Sequence, residues 1–486
     1  MITSKAGGTQ PELIQGGMGV GVSDWALARA VALAGEKLSR PVLGVVSGTG
    51  LAITMVNRLR QGDPNTRRAL DAFCVPVAAQ EVIDRYWLNV GKPFRSPPKA
   101  EVLVNGREDR KGEAIRLIVL GNFVEVWLAK EGHNNPIGIN YLEKVQLPRL
   151  PEIFGAMLAG VDYVLMGAGI PNQVPEVLDK LRDYNEASYR IDVAGSDRYL
   201  MSFDPKTVVP EERRMPLKRP QFLAIVSHHA LAQVLAHKAT GVVDGFVVEG
   251  PSAGGHNAPA RGKTVDEHGE PIYGERDRPD LAKMRDLARP FWLAGGYASS
   301  EKLCEAKREG AAGIQVGSVF ALCNESGLRE DIKQEMRRRQ FAGDLHVRAS
   351  AIASPSGFPF QVVEIEGSLS DPEVFKKRKR DCSVGYLVEA YKTSRGGIGF
   401  RCPAEPVAAY VRKGGSLEDT EMRVCLCNGL AAAAKDGQRV EKPNEPFIAT
   451  LGQSGGFIHE LMTDADGTYS VEDVVNYIFS ARTHER

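Results

Sequence analysis

Short runs of apolar, β-branched residues recur along this chain, and each ends in glycine or a small polar residue before a helix-like stretch begins. Eight such strand ends can be read: 14–18, 42–48, 137–140, 161–167, 222–227, 245–250, 291–296 and 313–318. Runs that are apolar on both faces suit parallel strands buried between helices and a barrel interior. Helical patterns fill the gaps. Asp24 to Leu38 sets Trp25, Leu27, Ala28, Val31 and Ala32 on one stripe, with Ser23 as candidate N-cap. Leu150 to Gly160, Ala230 to Thr240 (closed by Gly241) and Ser299 to Glu309 (closed by Gly310) read in the same way.

Eight βα units predict an α/β fold, a TIM (βα)8 barrel over residues 10–345, with its site at the C-terminal mouth of the strands. The rival is an open doubly wound sheet, which needs Gly-x-Gly-x-x-Gly after its first strand. Here Val22 stands where the third glycine belongs. Two insertions interrupt the rhythm. The first, about 93–135, holds Ser96-Pro-Pro98 and a stretch, Leu117 to Lys130, whose period does not decide between helix and strand pair. The second, 261–280, is charged and turn-rich, and reads as a lid or as a plain surface loop. Residues 346–486 leave the pattern. They are expected to form a mostly helical extension packed on the barrel, with helices over Asp371–Arg380 and Val471–Arg482.

Composition narrows the function class. The 486 residues are 43% hydrophobic and 25% charged, an ordinary globular balance. Lys+Arg and Asp+Glu both number 61, so no net field points to nucleic acid or an acidic membrane. The basic run Lys376 to Arg380 is expected to be a solvated helix face. No stretch approaches the roughly 20 apolar residues that span a bilayer. The N-terminus lacks the apolar core of a signal peptide. Seven cysteines without a secreted-framework spacing point to a cytoplasmic protein.

The chemistry gathers around one histidine. The strand-like run at Phe246 leads directly into Gly254-Gly255-His256, which brings a group titrating near neutral pH to a loop where backbone can approach a ligand. The last two strand ends, Ala294-Gly295-Gly296 and Val316-Gly317-Ser318, offer backbone N–H groups for an anion, at the usual phosphate place of such barrels. Ser47, Asn140, Gly167 and Ser227 at other strand ends suit a flat ring needing a few hydrogen bonds. Phosphate, ring and histidine together suggest flavin mononucleotide (FMN).

These residues also carry a family likeness. Gln15-Gly-Gly-Met18, Asn140, Gly254-Gly-His256, Ala294-Gly-Gly296 and Gln315-Val-Gly-Ser-Val-Phe320 resemble the nitronate monooxygenase (2-nitropropane dioxygenase) family, over roughly residues 10–365. Ser354-Pro-Ser-Gly-Phe358 is a further familiar piece. The extension is similar to the longer branch that includes the flavin-dependent enoyl reductase component of polyunsaturated fatty acid and polyketide synthases. The resemblance implies FMN phosphate on the Gly295-Gly296 and Gly317-Ser318 backbones and the ring near Met18, Ser47, Asn140 and Ser227. Gly17, Gly167, Gly254 and Gly255 complete the expected cofactor set, and His256 becomes the group that handles a substrate proton. Two chemistries follow: oxidation of an alkyl nitronate by O2, or reduction of an enoyl thioester or quinone by NAD(P)H. A barrel that holds FMN without turnover is the third possibility. Asn257-Ala-Pro259 departs from the shorter nitronate enzymes, as do the 261–280 insertion and the long extension. A homo-oligomer stays open.

Cys382, Cys402, Cys425 and Cys427 fall close together, and four thiolates can hold zinc or an iron–sulfur cluster. No Cys-x-x-Cys pair occurs among them, so buried free thiols are the simpler expectation and no metal is assigned. Cys74, Cys304 and Cys323 read as core positions.

Overall fold

The structure is a computed structural model that describes residues 10–88, 96–262, 264–437 and 446–480. Residues 93–95 of the first expected insertion, Lys263 of the second, and 438–445 and 481–486 of the extension lie outside the described residues.

Eight parallel strands close into a barrel: β1 (Leu13–Gln15), β2 (Val42–Ser47), β3 (Ile137–Leu142), β4 (Tyr163–Gly167), β5 (Gln221–Val226), β6 (Gly245–Glu249), β7 (Phe291–Ala294) and β8 (Gly313–Val316). Each strand pairs with its neighbours in sequence, and β8 pairs with β1, so the ring is complete. This is the TIM barrel that the strand ends predict. Ile14, Leu43, Val45, Tyr163, Leu165, Leu223, Val247 and Trp292 fill the interior. The opposite faces of the same strands pack on the surrounding helices. That two-sided burial is the physical source of the non-alternating apolar runs. At the mouth the register sets Ser47 beside Asn140, Glu249 beside Ala294, and Ala294 beside Gln315.

The helices bear out the pattern with local corrections. Trp25–Lys37 is capped by Asp24, whose carboxylate accepts from the Leu27 N–H at 3.0 Å. Ser23, the expected cap, turns inward instead: its hydroxyl accepts from the Met18 N–H at 2.9 Å and reaches Gly16 O at 3.0 Å, pinning the first loop. The undecided stretch 117–130 is the second half of a helix, Glu108–Ala129. Most of its second half is buried, and a residue walled on all sides leaves no amphipathic period to read. A short excursion between β4 and β5 was not legible: Ala187–Ile191 pairs antiparallel with Tyr199–Phe203.

The extension is mixed. Helices Pro372–Lys377, Leu426–Ala433 and Val471–Phe479 accompany two antiparallel pairs, Val347–Ser350 with Phe360–Val363 and Glu389–Lys392 with Ile398–Arg401. The basic run is a solvated helix face only in part: Lys376 and Lys377 are exposed on the helix, which stops at Lys377. Arg378 stacks on the Phe375 ring and Arg380 donates to Pro403 O and Thr420 O. Cys304 is exposed rather than in the core, Cys74 is half-buried, and Cys323 is buried. Among the described residues no helix is long and apolar enough to cross a membrane.

Candidate active site

The strand ends open into a cavity of about 250 Å³. Gly17, Met18, Asn140, Gly167, Gly254, Gly255, His256, Gly295, Gly296, Gly317 and Ser318 line it, gathered from six separate stretches of chain. Ser47 and Ser227 do not. Ser47 is buried behind the first loop, its hydroxyl 3.0 Å from where a side chain on Gly19 would stand. At the end of β5 it is Ile225, not Ser227, that reaches the cavity. Described residues of the 261–280 insertion are also absent from the lining, which favours the surface-loop reading over the lid.

Three glycines are dictated by space and backbone. A Cβ on Gly17 would lie 2.4 Å from Asn140 Cβ, so only glycine lets the first loop lie against β3. Gly295 and Gly296 have φ of +88° and +82°, and a Cβ on Gly295 would press on Gly250 O at 3.0 Å.

His256 is held from both sides. It bridges antiparallel to Phe360, the Asn257 amide donates to Pro359 O at 2.9 Å, and the Gln361 amide donates to Gly255 O at 2.9 Å. The extension's first hairpin is therefore clamped to the Gly-Gly-His loop. The imidazole meets the Phe360 ring edge-on, with centroids 4.9 Å apart. Its Nε2 lies 2.7 Å from Ser354 Oγ, which lies 2.8 Å from Ser356 Oγ, to which Lys144 Nζ donates at 3.1 Å. A chain of two hydroxyls thus joins a lysine to the histidine. Burial, with the Lys144 charge adding to it, holds His256 well below the ordinary imidazole range, so the ring is neutral at pH 7. Burial also pulls Lys144 down to about 7, against the opposing pull of Glu143, with the Phe358 ring 3.7 Å from its ammonium. Glu249, at the end of β6, is pushed up to about 7 by burial alone.

The reading of the sequence missed the roof. A segment of the extension, 449–454, crosses the mouth over β6 to β8. Thr450 Oγ1 accepts from the Gly255 N–H at 2.8 Å, the Gly452 N–H donates to Ser318 Oγ at 2.7 Å, and the Gln453 N–H donates to Ser252 O at 3.0 Å. Lys144, Glu249 and this segment carried no local signal. Lys144 stands in an ordinary loop sequence, and Thr450 is nearly 200 residues from the loop it touches (separation 195).

Residues 194–351 match the family model for nitronate monooxygenase. That stretch contains β5 to β8, His256 and both glycine-bearing strand ends, and it bears out the likeness carried by the motifs and the reading of the chain as an oxidoreductase. No curated protein matches the chain. Among solved structures, FabK from Thermotoga maritima is similar with a TM-score of 0.45 at 16% identity, over 97% of this chain and 92% of that one. A nitroalkane oxidase from Streptomyces ansochromogenes is similar at 0.44 and 14%, over 96% and 94%. The enoyl reductase domain of MlnA, from the macrolactin biosynthesis cluster of Bacillus amyloliquefaciens, gives 0.47 and 12%, over 96% and 93%. Likenesses this distant carry nothing about cofactor or substrate.

Proposed function

We propose that the chain is an FMN-dependent oxidoreductase of the nitronate monooxygenase type, in which His256 handles the substrate's proton beside the flavin. The observation that carries this reading is the composition of the cavity wall. Two buried amide oxygens on it, Asn140 Oδ1 and Gln315 Oε1, have no partner among the described residues. Buried acceptors of this kind are costly unless a ligand supplies donors, and the N–H and ribityl O–H groups of FMN do. The glycine pair after β7 and Gly317-Ser318 after β8 would hold the phosphate. Ser318 accepts from the roof segment and keeps its own hydroxyl hydrogen for an anion.

Bound FMN supplies the electron acceptor for the substrate. The residues of the chain supply the proton chemistry. Nε2 of His256 is engaged by Ser354, whereas Nδ1 has no hydrogen-bond partner among the described residues and is left for a substrate at the cavity. A neutral imidazole is the correct form to remove a proton from carbon beside a nitro group, or to hydrogen-bond a nitronate already formed.

The second reading is an NAD(P)H-dependent reductase of an enoyl thioester or quinone, with His256 as proton donor. It is favoured by the same free Nδ1, which donates as readily as it accepts once its tautomer changes. An anaerobic visible spectrum decides between them. A flavin band bleached by an alkyl nitronate, and not by NADH or NADPH, is the expected result. Bleaching by a reduced nicotinamide establishes the reductase, and protein purified without flavin that takes up none on addition of FMN removes both readings.

A further inference from the structure

The helix Leu426–Ala433 of the extension is packed on one side and faces the barrel-mouth cavity on the other. Asn428, Gly429, Ala431 and Ala432 are buried. Leu426, Leu430 and Ala433, spaced i, i+4 and i+7, form a second stripe, and that stripe lines the cavity. Its two ends are fixed by hydrogen bonds. At the start, the Val424 N–H donates to Ala353 O at 2.9 Å, and Leu426 shares an apolar cluster with Phe360, the ring that meets His256. At the far end the Arg329 N–H donates to Ala433 O at 2.9 Å, the Lys435 N–H to Gly327 O at 2.9 Å, and the Gly327 N–H to Val22 O at 2.8 Å. The stripe therefore leads from the His256 side of the cavity to the first barrel loop, a path of about 10 Å at the α-helical rise.

The walls beside this stripe are apolar too. Leu387 and Ile448 come from the extension, and Val20, Val22 and Leu328 from the barrel. The Ile448 N–H donates to Gly429 O at 3.0 Å, which sets that side chain against the helix. Barrel loop and extension meet at Gly50, where a Cβ would stand 3.1 Å from Val20 Cγ1 and 3.7 Å from Tyr386 Cε2. Among the described residues no lysine or arginine lines the cavity, and its one carboxylate, Glu249, stands at the end of β6. The unpartnered amide oxygens of Asn140 and Gln315 and the glycine-bearing strand ends also belong to the barrel strands. The cavity is thus polar where the barrel strands end and apolar along the extension. An apolar cavity holds water poorly and takes apolar ligands.

We propose that the apolar half is a sleeve for an unbranched hydrocarbon tail about 10 Å long, its head at His256, and that Ala433 sets the length accepted. The substrate is then a tailed molecule rather than a compact one. The chemistry done on its head rests on the function proposed above, whereas the sleeve stands on its walls alone.

Titration calorimetry of the full chain, incubated with FMN, against straight-chain primary alcohols from propanol to decanol reads the sleeve without turnover. Kd is expected to fall about fourfold per added methylene until the tail fills the sleeve, and then to level. Ala433→Leu, which fills the far end, brings the levelling to shorter alcohols. Leu430→Gln, which sets an amide in the wall, flattens the slope. A wild-type Kd that does not change with chain length overturns the proposal, and no variant is needed to see it. A slope that appears only after bound flavin is removed overturns it as well, because the apolar half is then where the flavin ring lies. A slope whose levelling Ala433→Leu leaves in place overturns the role given to Ala433. Protein that takes up no FMN yet shows the slope supports the sleeve while ending the FMN reading, so the two failures are told apart.

Discussion

An ammonium group has three donors and no lone pair, so a charged Lys144 can only donate to Ser356 Oγ. The Ser356 hydrogen then points to Ser354, the Ser354 hydrogen points to Nε2, and the His256 proton is confined to Nδ1. When Lys144 loses its proton the chain can reverse: Nε2–H donates to Ser354 and Nδ1 becomes a base. With Lys144 at about 7, proton removal from a neutral nitroalkane should rise with pH through that value. Binding of an anionic nitronate, which wants Nδ1–H, should fall over the same range. Lys144→Met is expected to abolish this inflection in kcat/KM while leaving bound flavin unchanged. Glu249 titrates in the same range at the same mouth, so Glu249→Gln is the control, and the inflection should survive in it. Nitrogen-15 spectra of the His256 ring check the tautomer directly, and a ring unaffected by Lys144→Met would end the relay argument.

At the scale of elements, the barrel's long insertion is anchored by a buried ionic knot. Arg58, on the helix Leu51–Gln61, is 5% exposed and contacts Glu125 at 2.7 Å, Asp436 at 2.8 Å and Asp24 at 3.7 Å. Burial alone would lower its pKa, but the charges of Glu125, Asp436 and Asp24 outweigh it and the guanidinium is locked in its charged form. The knot joins the first helix's cap, the insertion helix Glu108–Ala129 and the extension. Arg58→Met leaves Glu125 buried without a counter-charge, and is expected to cost about 3–5 kcal/mol in urea unfolding. Adding Glu125→Leu should recover part of that loss. The same insertion depends on close helix contact. A Cβ on Gly155 would stand 2.2 Å from Val119 O, so Gly155→Ala should destabilise by about 1–3 kcal/mol, read as a lower Tm.

Across the whole molecule, barrel and extension behave as one body built around the site. The hairpin strand at Phe360 clamps the His256 loop, the 449–454 segment roofs the cavity, and the helix Val471–Phe479 packs its buried Val471, Val474, Val475 and Ile478 into the main core. Calorimetry should therefore show a single unfolding transition. Two separated transitions would mean that the extension folds independently and that the cavity's roof is a docked module.

The sequence by itself determined the barrel and most of its mouth. Strand ends and glycines are local: burial on both faces writes itself as an unbroken apolar run, and a left-handed or crowded backbone writes itself as glycine at 17, 295 and 296. It also picked out His256, Ser354 and Ser356 as residues of interest, but not that they touch. What the tertiary structure decided are pairings between distant segments: Lys144 with Ser356, and Thr450 with Gly255. Such contacts depend on how long insertions and an irregular extension pack, and leave no periodic trace along the chain. Ser47 and Ser227 mark the same boundary from the other side. Their place at strand ends was legible, but which way a strand end faces is set by the loop that covers it.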